Sequence, residues 1–313
     1  MNRDEKIYVA GHRGLVGSAI VRRLSAGGYA NIVTRSHAEL DLTRQSDVER
    51  FFENERPSII FLAAAKVGGI GANSAYPAQF IYQNMSIALN VIEAARRIGV
   101  KKLLNLGSSC IYPKMAPQPL REEYLLTGLL EPTNEAYAVA KIAAIKLCRY
   151  YNEEYGTNFL SLMPTNLYGP GDNYDLSGSH VLPALIRKFH EAKTSGGPVR
   201  LWGDGSPLRE FLHADDLADA AVFVFENIEA GEIGEILNVG TGEDLSIRDL
   251  AGLVARIVGY EGEVLWDSSK PNGTPRKLLD VSRLHALGWK HKIDLAQGIA
   301  ATYQSYKMGY PNN

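Results

Sequence analysis

Cysteines are few in this sequence, and long apolar runs and a large net charge are missing from it. Its 313 residues include two cysteines, Cys110 and Cys148, too few for the disulfide framework of a secreted scaffold. No Cys-x-x-Cys or His-Glu-x-x-His spacing occurs, so no metal site is predicted. The longest purely apolar run, residues 59–65, is far shorter than the roughly 20 residues that cross a bilayer. These absences predict a cytoplasmic protein without a membrane partner.

Charge and length narrow the class of protein further. Lysine plus arginine number 33 and aspartate plus glutamate number 35, which gives a formal net charge of -2. That balance excludes a protein that binds polyanions through bulk charge, so no nucleic-acid partner is expected. Hydrophobic residues make up 45% of the chain, as in ordinary globular proteins, and the length suffices for one large or two smaller domains.

Short apolar segments alternate with longer amphipathic segments through the first half of the chain. The pattern predicts strands at 6–10, 31–34, 58–62, 102–106 and 159–163, and helices at 15–26, 45–54, 77–98 and 135–155. Strands without period-two alternation, separated by helices, are typical of a parallel sheet that is covered on both faces. We therefore expect a doubly wound α/β (Rossmann) fold.

Beyond residue 168 this rhythm changes, because glycine and proline become frequent and the elements shorten. A strand at 235–239 and a helix at 247–258 follow, so two lobes are expected to interleave along the chain. We predict a Rossmann domain from residues 1–168 plus about 211–240. A second, smaller α/β lobe is predicted from about 169–210 plus 241–313.

A glycine-rich turn lies between the first predicted strand and the first predicted helix. Its glycines, spaced G-x-x-G-x-x-G, allow a tight turn and let a pyrophosphate approach the helix N-terminus. This turn is predicted to bind a dinucleotide through Gly11, His12, Arg13, Gly14, Leu15, Val16 and Gly17.

The residues after the second predicted strand bear on which dinucleotide binds. An NAD site usually has an acidic residue at that point to hold the ribose, whereas this chain has Arg35 there and Arg13 inside the turn. Arginine suits a 2′-phosphate, so NADP is favoured. Both arginines could instead be solvated surface groups, and Glu39 could still reach a ribose. Asp41 and Leu42 are placed to line the adenine pocket.

A tyrosine and a lysine with i,i+4 spacing, Tyr137 and Lys141, lie on one face of a predicted helix. An ammonium beside a phenol is expected to lower the pKa of the tyrosine toward working pH. Ser108 directly follows the fourth predicted strand, at the sheet edge where ligands bind in open α/β folds. The three residues are predicted to act on a carbonyl or alcohol oxygen during hydride transfer. Tyr-x-x-x-Lys by itself is common on protein surfaces.

Together with Ser108, Tyr137 and Lys141, four further segments carry a family resemblance. These are 11–17 (GHRGLVG), 63–69 (AAAKVGG), 107–113 (GSSCIYP) and 164–170 (PTNLYGP). The sequence resembles the extended short-chain dehydrogenase/reductase family, which acts largely on nucleotide sugars. The resemblance continues through 179–180, 209–213 and 274–277 and so covers nearly the whole chain.

The resemblance implies a specific activity. GDP-4-keto-6-deoxy-D-mannose would be epimerised at the two carbons beside its keto group and then reduced by NADPH to GDP-L-fucose. By resemblance, Cys110 is the base, His180 is the acid, and Tyr137, Ser108 and Lys141 hold the keto oxygen. From the residues alone, a cysteine in the place of Cys110 is more often a core residue than a base, and a histidine in a polar loop such as His180 is usually a surface residue. Two alternatives stay open: another NAD(P)-dependent nucleotide-sugar epimerase or reductase, and a non-catalytic dinucleotide sensor.

The resemblance also implies further binding residues. Those for NADP(H) are Leu106, Gly107, Ser108, Ser109, Lys141, Pro164, Thr165, Asn166, Leu167 and His180. The second lobe would bind the GDP-sugar through Lys188, Trp202, Arg209 and Asn272, where Asn272 replaces an aspartate that is usual in the family. Alternatively, Trp202 belongs to the core, Lys188 is solvated, and Arg209 pairs with Glu210.

The predicted helices 77–98 and 135–155 carry more apolar positions than one packed face requires. In the family the equivalent helices pair across a two-fold axis into a four-helix bundle. A homodimer is therefore expected by resemblance, and the alternative is that each helix has two buried faces.

Overall fold

The computed structural model describes residues 3–176, 178–270 and 272–309. In chain order its strands are β1 (Ile7–Ala10), β2 (Ile32–Val33), β3 (Ile59–Leu62), β4 (Lys102–Leu106), β5 (Phe159–Pro164), β6 (Asn166–Tyr168), β7 (Val199–Trp202), β8 (Leu208–His213), β9 (Leu237–Val239), β10 (Asp244–Ser246), β11 (Val264–Asp267) and β12 (Arg276–Lys277). Its helices are α1 (Leu15–Ala26), α2 (Gln45–Glu55), α3 (Ile70–Ala75), α4 (Pro77–Arg97), α5 (Glu135–Tyr155), α6 (Val181–Ser195), α7 (Ala214–Asn227), α8 (Ala230–Ile233), α9 (Ile247–Val258), α10 (Ser282–Ala286) and α11 (Leu295–Gly309).

Six of these strands form one parallel sheet in the order β2-β1-β3-β4-β5-β9. β1 lies between β2 and β3, so that Ile7 is opposite both Ile32 and Ile59. The chain therefore reverses its progress across the sheet between β2 and β3. In such sheets a crevice opens at the carboxyl ends of the strands that flank the reversal, here β1 and β3. The predicted doubly wound α/β fold is confirmed.

Alternate residues of each strand pack against helices on opposite faces of this sheet. Ile7 and Val9 belong to the core under α1 and α7, whereas Tyr8 and Ala10 face α2, α4 and α5. Because both faces are buried, neither set of positions can be polar, which explains why the strands lack period-two alternation. The large aromatic Phe61, fully buried, packs on Phe225 of α7 with ring centroids 5.3 Å apart.

The other strands form two smaller sheets around a separate core. β10 and β12 flank the first half of β8, and β6 pairs with its second half, while β7 pairs with β11. Helices α6, α9 and α11 cover these strands and contribute Phe189, Leu250 and Tyr303 to the core. The chain thus contains a second group of elements beside the six-stranded sheet.

The predicted domain limits remain predictions, and three elements bear on them. β8 runs continuously through residue 211, where a boundary was expected. β6 pairs with β8, so residues 166–168 share a sheet with the second group, although they were predicted to belong to the Rossmann domain. Leu284 of α10 and Trp289, predicted in the second lobe, pack in the core under α1 and α7.

Within the described ranges, none of the helices combines the length and apolar character needed to span a bilayer. Over the same residues, histidine, cysteine and carboxylate side chains do not gather into any group of three that could hold a metal ion.

A buried lysine at the start of β4 fastens the C-terminal end of α7. The Lys102 ammonium donates to the carbonyl oxygens of Phe225 and Ile228 at 3.0 and 2.9 Å, and to Glu229 at 3.0 Å. Lys102→Met removes the donor and leaves two buried carbonyls unpaired, so we expect the free energy of unfolding to fall by about 3 kcal/mol. Urea unfolding measures this. Lys101→Met, at an exposed neighbour paired only with Glu5, should change it by less than about 1 kcal/mol. Equal losses in the two variants would contradict the assignment.

A buried histidine caps the N-terminus of α7. Nδ1 of His213 accepts from the backbone N–H of Asp215 at 3.2 Å, which requires the neutral ring. Burial lowers the pKa of His213 in the folded protein. The neutral His213 ring therefore contributes fully to the free energy of unfolding above the unfolded pKa of about 6.5. This contribution is lost as pH falls through the lower pKa of the folded protein.

We therefore expect the thermal unfolding temperature to fall between pH 7 and pH 5, and to fall less in His213→Asn. Asparagine can accept the same hydrogen bond without titrating. His37→Asn, at an exposed side chain, serves as the control and should follow the parent profile. An unchanged pH profile in His213→Asn would show that another group causes the acid destabilisation.

Candidate active site

The glycine turn after β1 lies in the crevice between β1 and β3. Gly11 has φ +83°, and a Cβ on it would lie 2.7 Å from the backbone nitrogen of Ala64. A Cβ on Gly17 would lie 2.1 Å from the carbonyl oxygen of Gly11. Glycine at these two positions therefore lets the turn close tightly and lets α1 pack directly on it.

The same turn fits the phosphates of a dinucleotide. Gly14 is the N-cap of α1 and has no side chain to bond the N–H groups of the first turn. The first turn of α1 contains no acidic residue, so its N–H groups and dipole favour an anion. The buried Nδ1 of His12, in the middle of the turn, has no hydrogen-bond partner among the described residues. A bound pyrophosphate would satisfy these donors.

The two arginines predicted to hold the 2′-phosphate lie on the same side of this crevice. The charges of Arg35 and Arg13 both contribute to the lowered pKa of Glu39, after the hydrogen bonds that Glu39 accepts from Ser36. Arg35 also forms an ion pair with Glu55. Glu39 is thus engaged by its own turn, and Arg13 is exposed.

The other predicted adenine and cofactor residues follow the carboxyl ends of strands. Asp41 accepts from Thr43, and the buried Leu42 has its carbonyl bonded by Asn90. Gly107 lies directly after β4, where a Cβ would be 2.1 Å from the Met163 side chain. Leu106 ends β4, Ser109 follows Ser108, Pro164 ends β5, and Thr165, Asn166 and Leu167 come next. Their roles stay predictions, but the fold brings all of them to one edge of the sheet.

Ser108, Tyr137 and Lys141 come together at that edge. The Ser108 hydroxyl lies beside the Tyr137 phenol and acts to lower its pKa. The Lys141 ammonium donates to the Leu106 carbonyl at 2.7 Å and lies 5.7 Å from the centre of the Tyr137 ring. The predicted i,i+4 face of α5 therefore points at the end of β4, as a carbonyl-reducing site requires.

One expectation about this group is wrong. Burial and, to a smaller extent, Cys110 raise the pKa of Tyr137, and the nearby Ser108 hydroxyl opposes that rise only in part. Burial also lowers the pKa of Lys141 to about 8. The closed site disfavours both the phenolate and the ammonium, so Lys141 does not bring the pKa of Tyr137 toward neutrality. Tyr137 therefore carries its proton at neutral pH and is set to donate it.

Cys110 lies in the short helical turn Ser109–Ile111, within reach of the same serine. Burial raises the pKa of Cys110, while Lys277, Ser108 and Lys141 act to lower it. Cys148, by contrast, packs in the core between α5 and the sheet, where burial raises the pKa of its thiol to about 12. The prediction that Cys110 rather than Cys148 faces the reaction is consistent with these surroundings.

His180 is the N-cap residue of α6, at the end of a loop that touches the β3–α3 loop through a hydrogen bond from Gly69 N–H to the Gly178 carbonyl at 2.9 Å. Partial burial and the nearby charge of Lys277 lower the pKa of His180. Lys277 therefore acts on both Cys110 and His180. Sequence reasoning quoted the segment 274–277 as part of the resemblance but assigned no role to this lysine.

The residues predicted to bind the nucleotide lie on adjoining segments of the second group. Trp202 ends β7 with 67% of its surface exposed, and the Lys270 ammonium lies 5.8 Å from its ring. Oδ1 of Asn272 accepts from the Asp204 N–H at 2.9 Å, so part of its acceptor capacity already holds the turn after β7. Lys188 is half-buried on α6, and its ammonium donates to the Arg200 carbonyl at 3.1 Å.

Arg209 and Glu210 point to opposite sides of β8. Glu210 is fully buried and accepts from the N–H groups of Thr241, Gly242 and Leu279 at 2.6, 2.8 and 2.9 Å. Among the described residues no carboxylate lies within 4.0 Å of the Arg209 guanidinium. The alternative that Arg209 merely pairs with Glu210 is therefore wrong. Trp202 is not a core residue either, because most of its surface is exposed.

Comparison with known proteins identifies the family of this chain. Residues 7–240 match the model of the NAD dependent epimerase/dehydratase family. The chain is 58% identical to GDP-L-fucose synthase 1 of Arabidopsis thaliana, over 97% of this chain and 94% of that protein. It is 56% identical to GDP-L-fucose synthase of Escherichia coli K12, over 96% of each.

A solved structure resembles the whole chain as well. It is a GDP-mannoheptose C4 reductase from Campylobacter jejuni with NADP bound, with a TM-score of 0.91 and 42% identity over 98% of this chain and 99% of that one. The turn after β1, the Ser108–Tyr137–Lys141 group and these full-length matches lead to one assignment. The chain belongs to the NAD dependent epimerase/dehydratase family and, within it, to the GDP-L-fucose synthases.

Proposed function

We propose that this enzyme converts GDP-4-keto-6-deoxy-D-mannose into GDP-L-fucose by epimerisation at carbons 3 and 5 and NADPH-dependent reduction of the 4-keto group. One observation carries the proposal beyond family membership. The Ser108 hydroxyl accepts from the Cys110 backbone N–H at 3.5 Å, and it acts to lower the pKa of both the Tyr137 phenol and the Cys110 thiol. A reducing group and a candidate base therefore lie beside one hydroxyl, so the same keto oxygen can serve both reactions.

Cys110 and His180 carry out the epimerisations in this proposal. The thiolate of Cys110 takes a proton from the carbon beside the ketone, and the electron pair moves onto the keto oxygen as an enolate. Ser108 and Tyr137 donate hydrogen bonds to that oxygen. Protonated His180 then gives a proton to the opposite face of the carbon, and exchange with water restores both side chains.

Tyr137 completes the reduction. Bound NADPH supplies the hydride to carbon 4. Tyr137, which burial keeps protonated, gives its proton to the oxygen as the carbonyl becomes an alcohol. Lys141 donates to the Leu106 carbonyl and so holds the N-terminal half of α5, and with it Tyr137, at the end of β4.

The cofactor is NADP(H). Arg13 and Arg35 supply positive charge beside the end of β2, where a 2′-phosphate would lie, and Glu39 is occupied by Ser36. The diphosphate of the GDP-sugar is assigned to Arg209, with Lys188 nearby on α6, and the base to Trp202 and Asn272. The predicted cytoplasmic location remains a prediction.

We also propose a homodimer formed by α4 and α5, which pack side by side. Several large apolar or aromatic side chains on these helices are exposed in the single chain, namely Tyr82, Leu89, Val139 and Tyr150. Such a surface is typical of a helix interface. Sedimentation equilibrium at two protein concentrations tests the proposal, and a single-chain mass at both would contradict it.

The reaction is tested with purified protein, GDP-4-keto-6-deoxy-D-mannose and NADPH in deuterated water. The expected result is a fall in NADPH absorbance, with GDP-L-fucose carrying deuterium at carbons 3 and 5. Oxidation without deuterium at these carbons would indicate a reductase alone. Deuterium without oxidation would overturn the reductive step, and no change would point to another nucleotide sugar or to a sensor.

A further inference from the structure

Lys277 lies on β12, and the backbone around it is held from both sides. β12 pairs with β8, which places Lys277 opposite Arg209. Just beyond it, the Leu120 N–H donates to the Leu278 carbonyl at 2.7 Å and the Asp280 N–H donates to the Leu120 carbonyl at 2.8 Å. The loop that follows Cys110 is thereby joined to the strand that carries Lys277.

A buried amide fastens the same two segments a second time. Oδ1 of Asn238 accepts from the Tyr112 hydroxyl at 2.6 Å, and Tyr112 lies two residues after Cys110. The amide nitrogen of Asn238 donates to the carbonyls of Leu120 and Asp280 at 2.9 and 3.1 Å. Because Asn238 is fully buried in β9, the positions of Cys110 and Lys277 relative to each other are set by the core rather than by a mobile loop.

Cys110 and Lys277 line one small cavity, together with a second lysine, Lys114, and Glu131. Lys114 and Glu131 form an ion pair at 2.8 Å and largely neutralise each other. In the described part of the chain no carboxylate lies within 4.0 Å of the Lys277 ammonium. Its positive charge is therefore available to the thiol.

The charged and titratable groups around this pair come from four elements. Lys277 and, more weakly, Lys141 act to lower the pKa of Cys110 against the effect of burial. The pKa of Lys277 is itself lowered, mainly by burial and also by Arg209, while Cys110 and Glu131 act to raise it. His180 and Tyr137 are further titratable neighbours, and Tyr112 and Arg276 also line the cavity. Lys277 is the cation with the largest effect on the thiol.

We propose that Lys277 is a positioning residue for the epimerisation, whose ammonium stabilises the thiolate of Cys110 in the shared cavity. The inference rests on the proposed function for its role in the reaction. The thiol proton passes to water, the thiolate then accepts the proton of the substrate carbon, and the electron pair moves to the keto oxygen. Without the cation, the buried thiol would keep its proton and would be a poor base.

The test measures the reactivity of Cys110 directly, without substrate. In a Cys148→Ala background, Cys110 is the one remaining thiol of the 313-residue sequence, so iodoacetamide modifies a single site. We expect Lys277→Met to raise the pH midpoint of alkylation by about one unit, which is roughly a tenfold slower rate below the midpoint. Lys277→Arg should restore the parent profile. The double variant Lys114→Met/Glu131→Gln removes a neutralised ion pair from the same cavity wall and should leave the profile unchanged.

A second readout separates charge from structure. Loss of the same positive charge should also raise the pKa of His180, which NMR titration of its ring protons follows, and Lys277→Arg should leave that pKa at the parent value. Circular dichroism must show a native fold in both variants, because exposure of His180 would raise its pKa as well. If circular dichroism shows that Lys277→Met does not fold, Lys277→Gln is used instead. An unchanged alkylation midpoint in the folded variant would overturn the inference, and so would an equal shift in Lys114→Met/Glu131→Gln.

The alkylation profile tests the role of Lys277, and the assay of the parent enzyme tests the proposed function, so the two proposals can be contradicted separately. If the parent enzyme exchanges deuterium normally while Lys277→Met leaves the midpoint unchanged, the role of Lys277 is wrong and the proposed function stands. If the midpoint shifts but the parent enzyme neither exchanges nor reduces the substrate, the proposed function is wrong, and with it the catalytic meaning of the shift.

Discussion

Tyr137→Phe is expected to lower the rate of NADPH oxidation by about 10²- to 10⁴-fold, the usual range for loss of a positioned proton donor. The variant keeps the ring but removes the proton that the keto oxygen receives during reduction. Because burial raises the pKa of Tyr137, the parent side chain is protonated throughout the neutral range. The rate of the parent enzyme should therefore show no dependence on tyrosine ionisation near pH 7.

The measurement is the decay of NADPH absorbance under single-turnover conditions, with NADPH affinity determined by fluorescence. Affinity should stay within about threefold, because the phenol touches Ser108 rather than the glycine turn. Tyr155→Phe, at an exposed position of the same helix, is the matched control and should retain the parent rate. A fully active Tyr137→Phe enzyme would remove tyrosine from the mechanism and leave Ser108 or water as the donor.

Cys110→Ser is expected to slow deuterium exchange at the carbons beside the ketone by a similar factor, about 10²- to 10⁴-fold. A serine hydroxyl occupies the same place but ionises far less readily than a thiol, so the base is lost while the shape is kept. The substitution leaves Ser108, Tyr137 and Lys141 in place. A substrate that was epimerised beforehand should therefore still be reduced.

Exchange is followed by NMR or mass spectrometry in deuterated water. NADPH binding should be unchanged, and loss of that binding in Cys110→Ser would contradict the proposed role. Cys148→Ser is the control because Cys148 lies in the core, 1% exposed, away from the sheet edge. That variant should have a lower free energy of unfolding but should exchange deuterium at the parent rate. Equal loss of exchange in both variants would mean that the effect comes from the fold.

The ends of several helices are determined by local sequence signals. The predicted ends of the helices at 15–26, 135–155 and 247–258 are confirmed residue for residue. In α9, Ser246 caps the N-terminus by accepting from Asp249 N–H at 2.9 Å, and Gly259 follows the C-terminus with φ +75°. These signals involve neighbouring residues and are therefore visible in the sequence. The short helix α3 and the strands of the second group carry weaker signals and were not predicted.

The features of the site also differ in whether local sequence pattern predicts them. The glycine turn, the spacing of Tyr137 and Lys141, and the place of Ser108 after a strand follow from local pattern, and the fold brings them to one edge as expected. The direction in which the pKa of Tyr137 shifts was predicted wrongly. Burial sets that shift, and burial depends on how α5 packs against the sheet.

The sequence by itself thus determined the parallel sheet and predicted the place of the glycine turn, Ser108, Tyr137 and Lys141 in it, and its similarity to a known family indicated the activity to test. Only the tertiary structure decided which charges surround the thiol. Lys277 reaches the cavity of Cys110 because β12 pairs with β8 and the next residues pair with the loop at Leu120. No periodicity or spacing encodes a contact between segments so distant in the chain, and buried charges act through space at the distances that packing sets.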